Sequence, residues 1–161
     1  WAKLNPNSFL TDDLTVEDVL NARMISHPFT VRDCCLVTDG GGAIVVTTPE
    51  RAKDLKQKPA YILGTGEAIT HAMISQMPDL TTSGTAISGP IAFERAGVKP
   101  SDIDVLALYD AFTINVILFL EDLGYCKKGE GGAFVEGGRI APGGELAVNT
   151  SGGGPSFFPC L

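Results

Sequence analysis

Positive charge is scarce in this sequence: 12 lysines and arginines stand against 19 aspartates and glutamates, for a formal net charge of −7. Nucleic-acid binding relies on a surplus of cations against the phosphate backbone, and that class is disfavoured. Histidine is rarer still, with 2 residues, and the 4 cysteines (Cys34, Cys35, Cys126 and Cys160) include one adjacent pair but no zinc-ligand spacing. No metal centre is expected. The densest apolar run, Ala111 to Leu120, is far shorter than the roughly 20 residues that cross a bilayer as a helix. No basic stretch followed by an apolar segment marks a secretory signal after Trp1. Reduced thiols and a cytoplasmic location are therefore expected. A chain that opens at Trp1 and closes at Pro159-Cys160-Leu161 reads as a piece of a longer protein.

What is present is ample apolar content, 44% of 161 residues, enough for one ordinary domain with a real core. Thr15 with Asp18 three residues on, followed by Val16, Val19, Leu20 and Met24 on one face, predicts a helix that ends before Pro28. After a glycine turn at 39–42, Ala43-Ile44-Val45-Val46-Thr47 is apolar on both faces, the pattern of a central strand. Thr48-Pro49-Glu50 then starts a short helix to about Lys56. Tyr61-Ile62-Leu63 predicts another strand, running into Gly64-Thr65-Gly66, which lacks the Lys-Ser/Thr of a phosphate loop.

Residues 71–85 have no period and predict a long functional loop with one helical turn, in which Met73 and Met77 read as core packing. A helix is expected over 88–96, closed by Gly97. A strand is expected over 105–108, followed by an all-round apolar, buried helix from Thr113 to about Leu123. Residues 127–145 are glycine-rich loop, and Leu146-Ala147-Val148 is a short strand delivering Asn149. Strands alternating with helices in this order give an α/β class with a mixed sheet.

Two stretches carry the chemistry. Tyr109-Asp110 sits where an apolar strand stops and a helix begins, a common location for α/β active sites. Tyr109 can serve as an acid, a base or an oxyanion donor; the alternative is a strand-end tyrosine bonded to a backbone carbonyl. Asp110 either orients neighbouring side chains or caps the helix from Ala111. Asn149-Thr150-Ser151-Gly152-Gly153-Gly154 either brings main-chain amides close to a substrate oxygen or is a flexible turn. His71 is a loop histidine, and Cys160 reads as a bystander thiol. Cys34 and Cys35 are expected to pack near the strand after Asp39.

The ordered set Asp39-Gly40-Gly41-Gly42-Ala43, Phe93-Glu94-Arg95-Ala96-Gly97, Tyr109-Asp110-Ala111-Phe112 and Asn149-Thr150-Ser151-Gly152-Gly153 resembles the thiolase superfamily. Within it, the chain resembles the C-terminal portion of the lipid-transfer-protein branch related to sterol carrier protein x. The resemblance implies a layered thiolase-like fold with a mixed five-stranded-type sheet, incomplete at both ends. It places residues 1–35 at the end of the loop-domain region, 36–58 in the last strand–helix unit of the N-terminal domain and 59–161 in the C-terminal domain.

Further implications are catalytic roles for Tyr109 and Asp110, and oxyanion or substrate contacts at Asn149, Gly152, Gly153, Gly154 and His71, the last facing the coenzyme A pantetheine. The substrate would be a coenzyme A thioester, with no covalently bound cofactor. The assembly would be a homodimer, with an OB-fold and zinc-ribbon protein as a further partner. Classical thiolases have Asn-Glu-Ala-Phe where this chain has Tyr109-Asp110-Ala111-Phe112, and the sterol-carrier branch has His-Asp-Cys-Phe. The activating histidine expected near Pro159 is not present, and neither the nucleophilic cysteine nor the Cys-x-Gly motif falls within the sequence. The implied activity is carbon–carbon bond formation or cleavage beside a thioester, by acyl transfer or by retro-aldol cleavage. The alternative is a non-catalytic acyl-CoA- or lipid-binding or assembly module.

Overall fold

The computed structural model describes residues 1–154 except Thr38 and Gly40; Cys160 and the segment around Pro159 lie outside the described residues. The core forms beneath a parallel ladder of β3 (Val105–Leu106) and β4 (Ala147–Val148), paired Val105 to Ala147 and Leu106 to Val148. Helix α4 (Thr113–Asp122) follows β3 and buries Leu120 completely. Leu106, Leu120, Leu146 and Val148 are its buried centre, and Val116, Phe134, Val135 and Ile140 pack around them. Leaving these side chains in water would cost roughly 1.5–3 kcal/mol each, so this cluster holds the strand ends that carry Tyr109 and Asn149.

The expected helix 88–96 is present and longer, as α3 (Thr85–Ala96), ending at Gly97 with φ 69°. Its earlier start has a tertiary cause. Ser83 accepts from the Thr85 N–H and is itself held by the carboxylate of Asp122 at the end of α4, through its own N–H at 2.8 Å and its hydroxyl at 2.7 Å. Asp122 is buried and ion-paired with Lys128 at 2.5 Å. Glu121 beside it accepts from the N–H groups of Gly129 and Gly131. The expected loop 127–145 contains the short helix α5 (Gly131–Phe134), and the loop 71–85 holds one helical turn, Ile74–Gln76, as its composition implied.

Several sequence expectations are corrected. The mixed five-stranded-type sheet is not formed among the described residues, which instead hold two separate two-stranded ladders. Residues 43–47 are not a strand: Ile44, Val45 and Val46 are 90%, 86% and 77% exposed. Residues 61–63 are likewise unpaired and exposed. A strand that is apolar on both faces needs hydrogen-bonding neighbours and cover on each side, and the described residues supply neither.

The first helix, α1 (Val16–Leu20), has the expected capping box of Thr15 and Asp18 but stops early, with Val16 and Leu20 exposed. Residues 24–26 instead form β1, antiparallel to β2 (Phe29–Thr30) across a cis His27–Pro28 bond. The helix after Thr48, α2 (Pro49–Ala52), is shorter than expected. Met73 is exposed rather than packed.

Although residues 64–66 join no ladder, they lie hard against α3. A Cβ on Gly66 would sit 2.0 Å from the Ser88 carbonyl oxygen, and one on Gly64 2.4 Å from that of Ala92. Only backbone without side chains can approach a helix this closely. Gly66→Ala is expected to destabilise the intact protein by roughly 1–3 kcal/mol. The change would register as a lower urea midpoint at unchanged m-value, whereas an unshifted midpoint would show that the segment moves away freely.

Candidate active site

Tyr109 and Asp110 lie between the end of β3 and the start of α4, and three tethers hold this turn. The first is Asn149. Its side-chain amide pairs with the Leu108 backbone on both sides: the Leu108 N–H donates to Oδ1 at 2.8 Å, and Nδ2 donates to the Leu108 carbonyl at 2.9 Å. The side chain thus continues the ladder one residue beyond β4, after the Asn149 N–H has bonded the Leu106 carbonyl. Its φ of 47° is a left-handed value that asparagine tolerates better than most residues. Both polar ends of the Asn149 amide are engaged by backbone, so in this geometry it orients the strand end that precedes Tyr109.

The second tether is Asp110, whose Oδ1 accepts from the Gly154 N–H at 2.8 Å. The helix-cap alternative is not realised, because α4 begins at Thr113, with Phe112 at the cap position. Gly152 and Gly153, with φ of 117° and 77°, turn the main chain back toward Asp110 through conformations that side-chain-bearing residues rarely adopt. The Gly152 N–H donates to the Asn149 carbonyl. Here the glycine run is a shaped loop rather than a loose turn.

A third tether comes from a segment that the sequence did not single out. The Asp33 carbonyl accepts from the Thr113 N–H at 3.0 Å, and its Oδ1 accepts from the Thr113 hydroxyl at 2.9 Å. Its Oδ2 takes the N–H and hydroxyl of Thr30 at 2.8 and 2.9 Å. The Cys35 N–H donates to the Ala111 carbonyl, Cys34 bridges Phe112, and the Phe29 and Phe112 rings meet at 5.6 Å. Cys34 and Cys35 therefore lie against the residues after Asp110, rather than beside a strand following Asp39. Thr30 and Asp33 resemble a helix-capping pattern, yet no helix follows, which is why the local sequence does not reveal their long-range partner. The N-terminal segment adds cover: Trp1 Nε1 donates to the Val148 carbonyl and Asn5 Nδ2 to that of Ser151.

The Thr30 backbone N–H, with help from the Thr113 and Thr30 hydroxyls, holds the Asp33 carboxyl below its ordinary 3.8. A depressed folded value means that this stabilisation is fully present above the unfolded value and is lost as pH falls through the folded one. The stability difference between the intact protein and Asp33→Asn should therefore narrow below about pH 4. Denaturation at a series of pH values checks this, and a difference that stays constant down to about pH 3 would contradict it.

Tyr109 projects into solvent, 71% exposed, and among the described residues its phenol has no hydrogen-bond partner, so the backbone-carbonyl alternative is not realised there. Together with Leu108, Asp110, Asn149, Gly153 and Gly154 it lines a depression of about 300 Å³. This depression meets a larger, mainly apolar cavity of about 760 Å³ that Asp110, Asn149, Gly152 and Gly153 also line. Five of the seven candidate residues therefore share one pocket, and Gly152 borders the adjoining cavity. His71 lines neither; its Nδ1 lies 2.7 Å from the Thr70 hydroxyl. Among the described residues, no helix is long and apolar enough to cross a membrane.

Residues 66–160 match the family described as thiolase C-terminal domain-like. The chain belongs to that family. It is 38% identical over 157 residues to the 17-hydroxy-3-oxo-4-pregnene-20-carboxyl-CoA lyase of Mycobacterium tuberculosis, covering 92% of this chain and 40% of the lyase. It is 34% identical to an acetyl-CoA acetyltransferase of Methanothermobacter thermautotrophicus, covering 94% of this chain and 40% of that enzyme. A solved Ltp2-ChsH2(DUF35) aldolase superposes with a TM-score of 0.87 at 37% identity, covering 96% of this chain and 42% of that one. The chain spans about 40% of the length of these curated relatives. For a thiolase C-terminal domain-like chain, the likeness extends to a solved fold as well as to sequence, and the Tyr109 pocket lies in the part that belongs to the family.

Proposed function

We propose that this chain forms part of a thiolase-like enzyme that cleaves a carbon–carbon bond beside an acyl-CoA thioester by a retro-aldol route, on a sterol-like or other lipid acyl group. The observation that carries this reading is Tyr109, exposed at a pocket that Asp110, Asn149 and the glycine loop complete. The lyase and aldolase among the relatives support it. Tyr109 is the base that takes the proton of the β-hydroxyl. The O–H electrons form the new carbonyl, the Cα–Cβ bond breaks, and its electron pair passes to the thioester as an enolate, which is then protonated at the α-carbon. The products are a carbonyl compound and a shortened acyl-CoA. With no side chains at Gly152, Gly153 and Gly154, the thioester can lie against the main chain. His71 belongs to the pantetheine side of the site.

The same reading assigns residues 36–58 to the end of an N-terminal domain and 59–161 to the C-terminal one. The reading includes a homodimer and an additional partner, and the superposed Ltp2-ChsH2(DUF35) aldolase supports the second of these. The test offers the intact protein a 3-hydroxyacyl-CoA without free coenzyme A and, separately, a 3-oxoacyl-CoA with it. Cleavage of the first substrate is expected. Turnover confined to the second would establish acyl transfer and overturn the retro-aldol route.

A further inference from the structure

We propose that Asp33 is a positioning residue for the Tyr109-Asp110 turn, acting through Thr113 from a segment 80 residues away; this rests on the catalytic reading of Tyr109. The geometry is two-sided. Before the turn, Asn149 grips Leu108; after it, the carbonyl and carboxylate of Asp33 together grip the N–H and hydroxyl of Thr113, the first residue of α4. Only the four residues 109–112 lie between these anchors. The Cys35 N–H bonds the Ala111 carbonyl within that interval.

Asp33 is not free to follow Thr113 if the helix shifts, because Thr30 holds its second oxygen with two hydrogen bonds. A short span fixed at both ends cannot rotate its backbone without breaking an anchor, so the direction in which Tyr109 leaves the chain is set from outside the strand and the helix. Removing the side-chain half of the Thr113 anchor leaves a single backbone hydrogen bond there and allows the phenol to deviate from its working position. A displacement on the order of 1 Å is enough to cost a large part of the rate.

The experiment uses the intact protein with ¹³C-labelled tyrosine, the Tyr109 resonance being identified by its loss in Tyr109→Phe. Asp33→Ala and Thr113→Val are each expected to move that resonance in the same direction. Each should also lower kcat by roughly tenfold or more with little change in KM, and the double variant should be no worse than the poorer single one. Asp33→Asn retains an acceptor for the Thr113 hydroxyl and should recover part of the loss; it also serves if Asp33→Ala does not fold. Asp79→Ala is the control, since Asp79 holds Thr81 and Thr82 in a similar carboxylate–threonine cluster in another loop, and it should leave the resonance in place.

An unmoved Tyr109 resonance in folded Thr113→Val, and in Asp33→Ala where it folds, would overturn the proposal, as would additive losses in kcat. A shifted resonance in a protein with no carbon–carbon cleavage would uphold the positioning role and overturn the retro-aldol reading instead.

Discussion

Tyr109→Phe in the intact protein should lower kcat for 3-hydroxyacyl-CoA cleavage by roughly 10²- to 10⁴-fold, the usual contribution of one positioned acid–base group. The substitution removes a single oxygen. Tyr109 lies 71% exposed and its phenol bonds no described residue, so among these residues the substitution removes little packing and no hydrogen bond. Stability should therefore stay within about 0.5 kcal/mol of the parent, as for surface substitutions generally. KM should change little, because the phenol is assigned to the proton of the β-hydroxyl rather than to the coenzyme A portion. Steady-state kinetics alongside a denaturation curve separates these effects. Undiminished kcat would remove Tyr109 from the chemistry and leave the family membership untouched.

The second large effect concerns the junction of α3 and α4. Lys128→Met is expected to destabilise the intact protein by roughly 3 kcal/mol, near the lower end of what breaking a buried ion pair costs. The Asp122 side chain is fully buried, whereas that of Lys128 is 42% exposed. Losing the lysine leaves a carboxylate out of water with Ser83 as its remaining hydrogen-bond partner, and it also removes the hydrogen bond from Lys128 to the Thr81 carbonyl. The reverse change should be milder. Asp122→Asn keeps an acceptor for Ser83, and the stranded ammonium can turn outward into solvent. The expected order is therefore a greater loss for Lys128→Met than for Asp122→Asn. Urea denaturation at neutral pH checks the order, and a loss below about 1 kcal/mol for Lys128→Met would show that Lys128 contributes only as a surface charge.

These two sites differ in how far the sequence revealed them. Tyr109 and the glycine run were legible because each interrupts an apolar pattern abruptly, and their order along the chain matched a family. Helices α3 and α4 were legible for a similar reason, since an apolar face and a glycine just past the last turn are local signals. Strands 43–47 and 61–63 were misjudged because a two-sided apolar run implies neighbours without stating whether they are at hand. Asn149 was read as a substrate contact, yet its amide is engaged at both ends by Leu108. That pairing depends on β4 arriving beside β3, not on anything within the motif.

By itself, then, the sequence determined the family, the order of the motifs, the Thr15 and Thr48 caps of the two short helices and the Gly97 end of α3, because these depend on residues within a few positions of one another. Only the tertiary structure decided how the tyrosine is held. Asn149 meets Leu108 across 41 residues, Asp110 meets Gly154 across 44, and Asp33 meets Thr113 across 80. A carboxylate or amide has the same donors and acceptors wherever it stands in a chain. Packing of α4 against the β3–β4 ladder brings these groups to within 3 Å of their partners, and no local pattern encodes that approach.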